Sequence, residues 1–240
     1  YFNNRLLLKK VQIRKEPINN MKSWWLLSRK LDVMKLDSIR KDYQLAELSE
    51  ENVDKNPFRQ FGKWMKEALD AKINEPTAMS VSAIAEDGFP HSRIVLLKDF
   101  GEEGFIFFTN YNSLKGKSIA KNSAVSLLFF WPELERQIRI AGFAEKTNSE
   151  VSDRYFYSRP LNSQVAASVS EQSNVIHSRE KLDQLFEARK HEPVSRPENW
   201  GGYFVKPVRF EFWQGRESRL HDRILFEKKG ETWSISRLAP

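Results

Sequence analysis

Residues 78–98 read Ala-Met-Ser-Val-Ser-Ala-Ile-Ala-Glu-Asp-Gly-Phe-Pro-His-Ser-Arg-Ile-Val-Leu-Leu-Lys, and this stretch decides the fold class. Two runs rich in apolar and β-branched residues, 78–85 and 91–98, flank a short linker. The Asp87-Gly88 pair in that linker is typical of the tight turn of a β-hairpin. The stretch therefore predicts two antiparallel strands.

Similar short runs follow, and helical patterns are inserted between groups of them. Asn56-Pro57 is a typical helix start, with Asn as the N-cap and Pro in the first turn. Because the helices do not alternate with the strands, the pattern favours a mainly β, antiparallel barrel with peripheral helices over a doubly wound parallel sheet. The further strands are predicted at 105–109, 124–131, 135–145, 202–206, 208–214, 221–228 and 232–237, and the helices at 57–72, 113–121, 149–158, 161–169 and 179–190.

The composition is that of an ordinary water-soluble protein. With 240 residues, 40% of them hydrophobic and 30% charged, the chain can form one large domain or two small ones. No apolar run approaches the roughly 18 residues that a membrane-spanning helix needs, so we expect no membrane association. Cysteine is absent, which excludes disulfides and thiolate chemistry. This fits a reducing compartment, and we expect a cytoplasmic protein.

Most of the net charge of +7 lies near the start of the chain. Residues 1–33 hold eight lysines and arginines against two acidic residues, which leaves about +1 for residues 34–240. The nearly neutral remainder gives no support for nucleic-acid binding. We interpret residues 1–33 as a basic leader outside a single domain at 34–240. The leader is either upstream sequence translated from a wrong start ahead of Met34 or a targeting segment.

Several common catalytic motifs are missing. Gly116-Lys117-Ser118 resembles the end of a phosphate-binding P-loop, but the pattern needs glycine where Tyr111 stands. The sequence contains neither the Gly-x-Gly-x-x-Gly dinucleotide fingerprint nor the Gly-x-Ser-x-Gly nucleophile elbow. The four histidines are too scattered in sequence to suggest zinc, so we expect no metal site.

The stretch from Trp213 to Arg223 carries the most chemistry for its length. It reads Trp-Gln-Gly-Arg-Glu-Ser-Arg-Leu-His-Asp-Arg and places three arginines and a histidine at the end of a strand. Clustered cations and an imidazole can hold an anionic ligand and move a proton. A solvated, charged hairpin is the alternative interpretation of this stretch alone.

Three other segments could bind anions. The strand Arg93–Lys98 has a cation at each end, and its alternation places those cations on opposite faces. Thr109 and Lys115 lie near a predicted helix start, which favours phosphate. Tyr155-x-x-x-Arg159 puts a phenol and a guanidinium on one helix face, and Ser163 opens the next helix. Each segment also has a structural interpretation: an edge strand with solvated ends, an exposed helix start, and a surface pair beside a cap.

Taken in order, these segments resemble the pyridoxine (pyridoxamine) 5′-phosphate oxidase family. The resemblance covers about residues 34–240 and rests on Arg93–Lys98, Phe107–Asn110, Tyr155–Pro160, Gln172-Ser173, Glu211–Gly215, Arg219–Arg223 and the final Arg237–Pro240. It implies an FMN-binding split β-barrel and a homodimer with two FMN sites at the subunit interface. The implied reaction is oxidation of pyridoxine 5′-phosphate and pyridoxamine 5′-phosphate to pyridoxal 5′-phosphate, with O2 as electron acceptor and H2O2 as product.

The resemblance also implies roles for individual residues. Arg219 and His221 would be catalytic and would assist proton removal at the reacting carbon. One departure concerns Leu114, because the family often carries arginine immediately before Lys115. FMN contacts are implied for Arg93, Ile94, Val95, Leu96, Phe108, Thr109, Lys115, Gln137, Gln172, Ser173, Trp213 and Arg223. Substrate contacts are implied for Arg40, Tyr43, Lys98, Tyr155, Arg159, Ser163, Arg219, Leu220 and His221.

Two other functions remain open on the sequence. One is a related split-barrel FMN oxidase that acts on another heterocycle. The other is a non-enzymatic flavin-binding protein. The set of Tyr155, Arg159 and Ser163 argues against the first, because an unphosphorylated substrate does not need so many phosphate ligands. The Arg219-Leu220-His221 segment argues against the second.

Overall fold

Nine antiparallel strands form one sheet in the computed structural model, which describes residues 42–240. Three predictions fall outside the described residues: the domain start at residue 34, the leader at 1–33 and the substrate contact Arg40. The sheet order is β2-β1-β5-β6-β7-β4-β3, and β8 lies between β7 and β9. The strands are β1 Ala78–Ile84, β2 Pro90–Leu96, β3 Asp99–Gly101, β4 Gly104–Asn110, β5 Ala124–Trp131, β6 Arg136–Lys146, β7 Trp200–Gln214, β8 Asp222–Lys229 and β9 Thr232–Arg237.

The long strand β7 corrects one sequence prediction. The sequence pattern predicts two strands, 202–206 and 208–214, on either side of Pro207, a residue that cannot donate to a sheet. The structure has one strand from Trp200 to Gln214, with a register shift opposite Ala141 and Gly142. There β7 also changes its second neighbour, from β4 at residues 200–205 to β8 at residues 209–214. Pro207 is tolerated because it lies at this bulge, between the two paired segments.

Five α-helices surround the sheet within the described residues. The predicted cap is confirmed, because the Asn56 side chain accepts hydrogen bonds from the backbone nitrogens of Phe58 and Arg59. The first helix buries one face against the sheet, where the Phe61 ring lies 4.8 Å from that of Phe105 and 5.1 Å from that of Phe129, centroid to centroid. The helices are α1 Pro57–Asp70, α2 Leu114–Lys121, α3 Ser149–Ser158, α4 Leu161–Val169 and α5 Arg179–Arg189.

The two faces of the sheet differ in burial. On β5, Val125, Leu127 and Phe129 are buried in the core, whereas Phe130 on the other face is 53% exposed. On β2, Ile94 is also exposed at 66%. Large apolar groups on the outer face are typical of a surface that contacts another protein chain. The mainly antiparallel, barrel-like sheet with peripheral helices confirms the predicted fold class. No helix in residues 42–240 is long and apolar enough to cross a membrane.

Candidate active site

A cavity of about 670 Å³ opens where the end of β2, the end of β4 and the first turn of α2 meet helices α3 and α4. It brings together residues that lie up to 107 positions apart in sequence, from Arg93 to Trp200. Twelve of the residues singled out from the sequence line it, namely Arg93, Ile94, Val95, Leu96, Lys98, Phe108, Thr109, Lys115, Tyr155, Arg159, Gln172 and Ser173.

Lys115 lies in the first turn of α2 and is only 7% exposed. Its Nζ donates hydrogen bonds to Thr109 Oγ1 and Gln172 Oε1, each at 2.7 Å. Both acceptors are neutral. Burial, followed by repulsion from Arg93, lowers the pKa of Lys115 to about 8. A buried ammonium with neutral partners and a second cation nearby is suited to binding an anion.

Arg159 is the C-cap residue of α3 and faces the same cavity. Its Nη1 atom is buried and has no hydrogen-bond partner among the described residues. The guanidinium carbon lies 4.8 Å from the centroid of the Trp200 ring, and burial lowers the pKa of Arg159. A buried donor without an acceptor is costly, so its position is best explained by a ligand that supplies the acceptor.

The charge of the cavity has one sign. Arg93, Lys98, Lys115 and Arg159 supply four cations, and none of the described lining residues is an aspartate or a glutamate. Repulsion within such a group is relieved when anions bind. The donor set therefore fits phosphate groups, including that of FMN.

Aromatic rings form one wall of the cavity. The Phe108 and Tyr155 rings stack with centroids 4.0 Å apart, and the Trp200 ring lies nearly parallel to both. The Nζ of Lys98 lies 5.9 Å from the Tyr155 ring centroid. This wall can hold a flat heterocycle beside the cations.

The loop after α4 closes the cavity near Lys115. Ser173 in this loop has a φ of 77°, a left-handed conformation that is uncommon for a residue other than glycine. The loop is held by the Asn110 side chain, which donates to the Ser170 carbonyl at 3.2 Å. Strained backbone of this kind concentrates at ligand sites.

A second group of predicted residues lies on the outer face of the sheet, outside this cavity. Gln137 pairs in register with Trp213, and Trp213 pairs with Arg223, so the three form one row across β6, β7 and β8. The guanidinium of Arg223 bonds the buried carboxylate of Glu211 at 2.9 Å.

The loop between β7 and β8 carries Arg219, Leu220 and His221 next to this row. The His221 ring lies 4.6 Å from the Trp213 ring, centroid to centroid, and its Nδ1 accepts a hydrogen bond from the backbone nitrogen of Arg216 at 3.1 Å. Burial, followed by the charge of Arg219, lowers the pKa of His221. Arg219 itself is exposed and has a φ of 62°.

Three further predicted residues lie near these groups. Tyr43 belongs to the second group, since its ring lies 5.8 Å from that of Trp213 and 5.9 Å from that of His221. Ser163 is half-buried in the first turn of α4 and does not line the cavity. Leu114 is the first residue of α2 and is 39% exposed. As a leucine, it supplies no positive charge beside Lys115.

Sequence reasoning missed five residues that line the cavity: Asn110, Ala166, Ala167, Ser170 and Trp200. Asn110 ends the Phe107–Asn110 segment that carries the resemblance, and its place at a strand end was a usable signal, although no contact was assigned to it. Trp200 lies at the start of β7, far from any motif, and only the pairing of β7 with β4 brings it beside Phe108.

The two groups are separated along one strand. Trp200 lies in the cavity at the start of β7, and Trp213 lies on the outer face near its end. Trp213 lies thirteen positions after Trp200, which at roughly 3.3 Å per residue is about 43 Å along the strand.

Two solved structures share this fold. PhzG from Burkholderia lata, determined with tetrahydrophenazine-1-carboxylic acid, covers 83% of this chain and all of its own, with a TM-score of 0.78 and 26% identity. A pyridoxamine 5′-phosphate oxidase-related, FMN-binding protein from Nostoc punctiforme covers 81% of this chain and all of its own, with a TM-score of 0.63 and 15% identity. The barrel-like sheet has the fold of the FMN-binding split-barrel proteins, and its cationic cavity fits a phosphate group.

Sequence comparison identifies the family. Residues 65–189 match the model of pyridoxamine 5′-phosphate oxidase, and residues 200–240 match that of the pyridoxine 5′-phosphate oxidase C-terminal dimerisation region. The pyridoxine/pyridoxamine 5′-phosphate oxidase of Burkholderia lata is 51% identical over 211 residues, which cover 85% of this chain and 99% of the relative. The chain belongs to the pyridoxine/pyridoxamine 5′-phosphate oxidase family. This confirms the predicted family, oxidoreductase activity and FMN cofactor, and the dimerisation region supports the predicted homodimer.

Proposed function

We propose that the protein oxidises pyridoxine 5′-phosphate and pyridoxamine 5′-phosphate to pyridoxal 5′-phosphate, with O2 as electron acceptor and H2O2 as product. The observation that carries the proposal is a set of four cations that line one cavity without a carboxylate among its described lining residues. Lys115 is buried and is repelled by Arg93, whereas Lys98 and Arg159 lie against the aromatic wall. Four cations suit two phosphates, one on the cofactor and one on the substrate.

The cofactor would be held mainly through its phosphate. Arg93, Lys115 and Ser173 are the proposed phosphate ligands, and Thr109 and Gln172 hold the Lys115 ammonium in place. Bound FMN supplies the two-electron acceptor of the reaction, and the protein supplies orientation and charge. The other proposed contacts are Ile94, Val95, Leu96, Phe108, Gln137, Trp213 and Arg223.

The site would be composite, with contributions from two chains. The row of Gln137, Trp213 and Arg223 does not line the cavity of its own chain and lies on the exposed outer face of the sheet. In a dimer, the outer-face row of one copy can complete the cavity of the other. The exposed apolar residues Ile94 and Phe130 on the same face favour such contact.

The substrate would be held by its phosphate and acted on at its other end. Lys98, Tyr155 and Arg159, with Ser163, are the proposed phosphate ligands, and Arg40, Tyr43 and Leu220 are further proposed substrate contacts. We assign catalysis to Arg219 and His221. Because the Nδ1 of His221 accepts the Arg216 amide, the neutral imidazole carries its hydrogen on Nε2 and can donate a hydrogen bond to the substrate. The lowered pKa of His221 keeps its imidazole neutral near pH 7, and protonation would place a second hydrogen on Nδ1, against the Arg216 amide.

A second candidate is an FMN oxidase that acts on an unphosphorylated heterocycle. The structural similarity to PhzG favours it. However, the chain is 51% identical to the pyridoxine/pyridoxamine 5′-phosphate oxidase of Burkholderia lata and 26% identical to PhzG of the same organism. The unpartnered Nη1 of Arg159 also favours a phosphorylated substrate.

The test is oxidation of matched substrates in air. Purified protein loaded with FMN is incubated with pyridoxine 5′-phosphate, pyridoxamine 5′-phosphate or unphosphorylated pyridoxine, and aldehyde, O2 uptake and H2O2 are followed. We expect aldehyde from both phosphates, with equal amounts of O2 consumed and H2O2 formed, and little reaction of pyridoxine. Comparable rates with and without the phosphate would contradict the proposal.

A further inference from the structure

Residues 43–50 pass over the loop that carries Arg219 and His221, and we call this segment the strap. It has no regular helix or strand. Its far end is held by the Leu48 backbone, whose nitrogen donates to Asp222 Oδ2 at 3.1 Å and whose carbonyl accepts from Arg237 at 3.2 Å. Its near end carries Tyr43, so the attachment of that end decides where the Tyr43 ring lies.

The near end is attached to one buried carboxylate. Glu135 Oε2 accepts hydrogen bonds from the backbone nitrogens of Gln44 at 2.8 Å and of Leu45 at 3.1 Å. Glu135 is only 4% exposed and lies in the turn between β5 and β6, about ninety residues away in sequence. Hydrogen bonds to a charged acceptor are roughly twice as strong as those between neutral groups.

The backbone of Glu135 holds the other side of the same junction. Its carbonyl oxygen accepts from the backbone nitrogen of Gly215 at 2.7 Å and from the Gln214 side chain at 3.3 Å. Its φ of 55° is unusual for a residue other than glycine. Glu135 therefore joins the strap to the first residues of the loop that leads to Arg219 and His221.

The fit between the strap and this loop leaves no free space. A Cβ atom placed on Gly215 would lie 2.7 Å from Tyr43 Cγ, closer than side-chain atoms approach one another. The Tyr43 ring meets both Trp213 and His221 edge to face. A small shift of residues 44 and 45 would move the Tyr43 ring away from both.

We propose that Glu135 is a positioning residue, which holds the strap so that Tyr43 stays against Trp213 and His221 on the substrate side of the site. The proposal rests on the proposed function for its kinetic consequence, but not for the anchoring itself. Glu135 acts through the strap and does not touch the reacting atoms. Its loss should therefore weaken substrate binding more than it slows the chemical step.

The test compares three variants of the FMN-loaded dimer. Glu135→Ala removes the anchor, Glu135→Gln keeps an acceptor oxygen, and Glu133→Ala is the control, since Glu133 is an exposed acid in the same turn. Hydrogen exchange of the peptide covering residues 43–48 reports the anchoring without any substrate. Steady-state kinetics with pyridoxine 5′-phosphate and FMN titration report its consequence.

We expect Glu135→Ala to speed exchange in this peptide about tenfold and to raise KM about tenfold, with kcat and FMN affinity within about twofold of the parent. Glu135→Gln should recover most of both effects, and Glu133→Ala should match the parent. Gly215→Ala, which leaves Glu135 intact but displaces Tyr43, should reproduce the rise in KM if Glu135→Ala does not fold. Unchanged exchange in Glu135→Ala, or faster exchange with an unchanged KM, would overturn the proposal. A parent enzyme that does not oxidise pyridoxine 5′-phosphate would refute the proposed function instead, and the exchange result would still decide the anchoring.

Discussion

Replacing Arg159 with alanine separates substrate binding from folding. The Nη1 atom of Arg159 is buried without a partner among the described residues, and a bound phosphate would supply the acceptor. Losing one charge-assisted hydrogen bond to a phosphate costs about 1.5–3 kcal/mol, which corresponds to a rise in KM of about ten- to a hundredfold. The change in kcat should be smaller, because the phosphate is bound equally in the ground state and the transition state.

The same substitution should have little effect on the stability of the unliganded protein. Removing an unsatisfied buried donor relieves a penalty of about 1–3 kcal/mol. The lost cation–π contact with Trp200, 4.8 Å from the guanidinium carbon, is worth about 0.5–2 kcal/mol in the opposite direction. Because these contributions are similar in size, we expect the Tm without substrate to stay nearly constant.

The assay is steady-state oxidation of pyridoxine 5′-phosphate and of unphosphorylated pyridoxine by the parent, Arg159→Ala, Arg159→Lys and Arg154→Ala. Arg154 is an exposed arginine on the same helix and serves as the control. The ratio of kcat/KM for the two substrates isolates the contribution of the phosphate. It should fall steeply in Arg159→Ala, partly in Arg159→Lys, which keeps the charge but not the fork of donors, and not in Arg154→Ala. A ratio unchanged in Arg159→Ala, or a large fall in its Tm without substrate, would refute the reasoning.

Four further outcomes follow from the site and the sheet. Burial lowers the pKa of Lys115 to about 8, so FMN affinity should weaken as the pH rises above that value. The Lys115→Met variant should bind FMN weakly at every pH. Flavin fluorescence titrations at several pH values will check both results. Arg219→Ala should slow anaerobic flavin reduction at saturating substrate while FMN stays bound, and reduction as fast as in the parent would limit Arg219 to binding. The pKa of His221 lies below its usual 6.5, so the rate should fall only when the pH drops below 6.5. The rate of His221→Ala should not show this fall at acidic pH. Phe130→Asp places a charge on the exposed apolar face and should shift the dimer towards monomer in light scattering; a dimer of unchanged affinity would exclude this face from the interface.

The local features of the fold could be predicted from the sequence because their causes are local. Asn56-Pro57 starts a helix through its own side chain, and Asp87-Gly88 turns a hairpin through its own backbone freedom. The continuity of β7 through Pro207 could not be predicted, because it depends on a bulge against β6 and on a change of neighbouring strand.

The site was predicted in part for the same reason. Motif resemblance singled out Lys115, Gln172 and Arg159, which the structure places around one cavity, but not Trp200, whose ring reaches Arg159 only through tertiary packing. The register that aligns Gln137 with Trp213 and Arg223 is likewise a property of the paired strands. The strap anchor at Glu135 carries no sequence signal, because the two backbone nitrogens of residues 44 and 45 can donate to any suitably placed carboxylate.

The length of β7 also has a genetic consequence. Suppose that each complete site takes its cavity from one chain and its outer-face row from the other. A mutation can then inactivate the cavity of a chain and leave its row intact, or the reverse. A chain with a defective cavity and a chain with a defective row would each be inactive alone. In a mixed dimer, the intact cavity of one meets the intact row of the other, so one of the two sites is restored. Two recessive alleles of this kind should therefore complement each other when they are expressed in one cell.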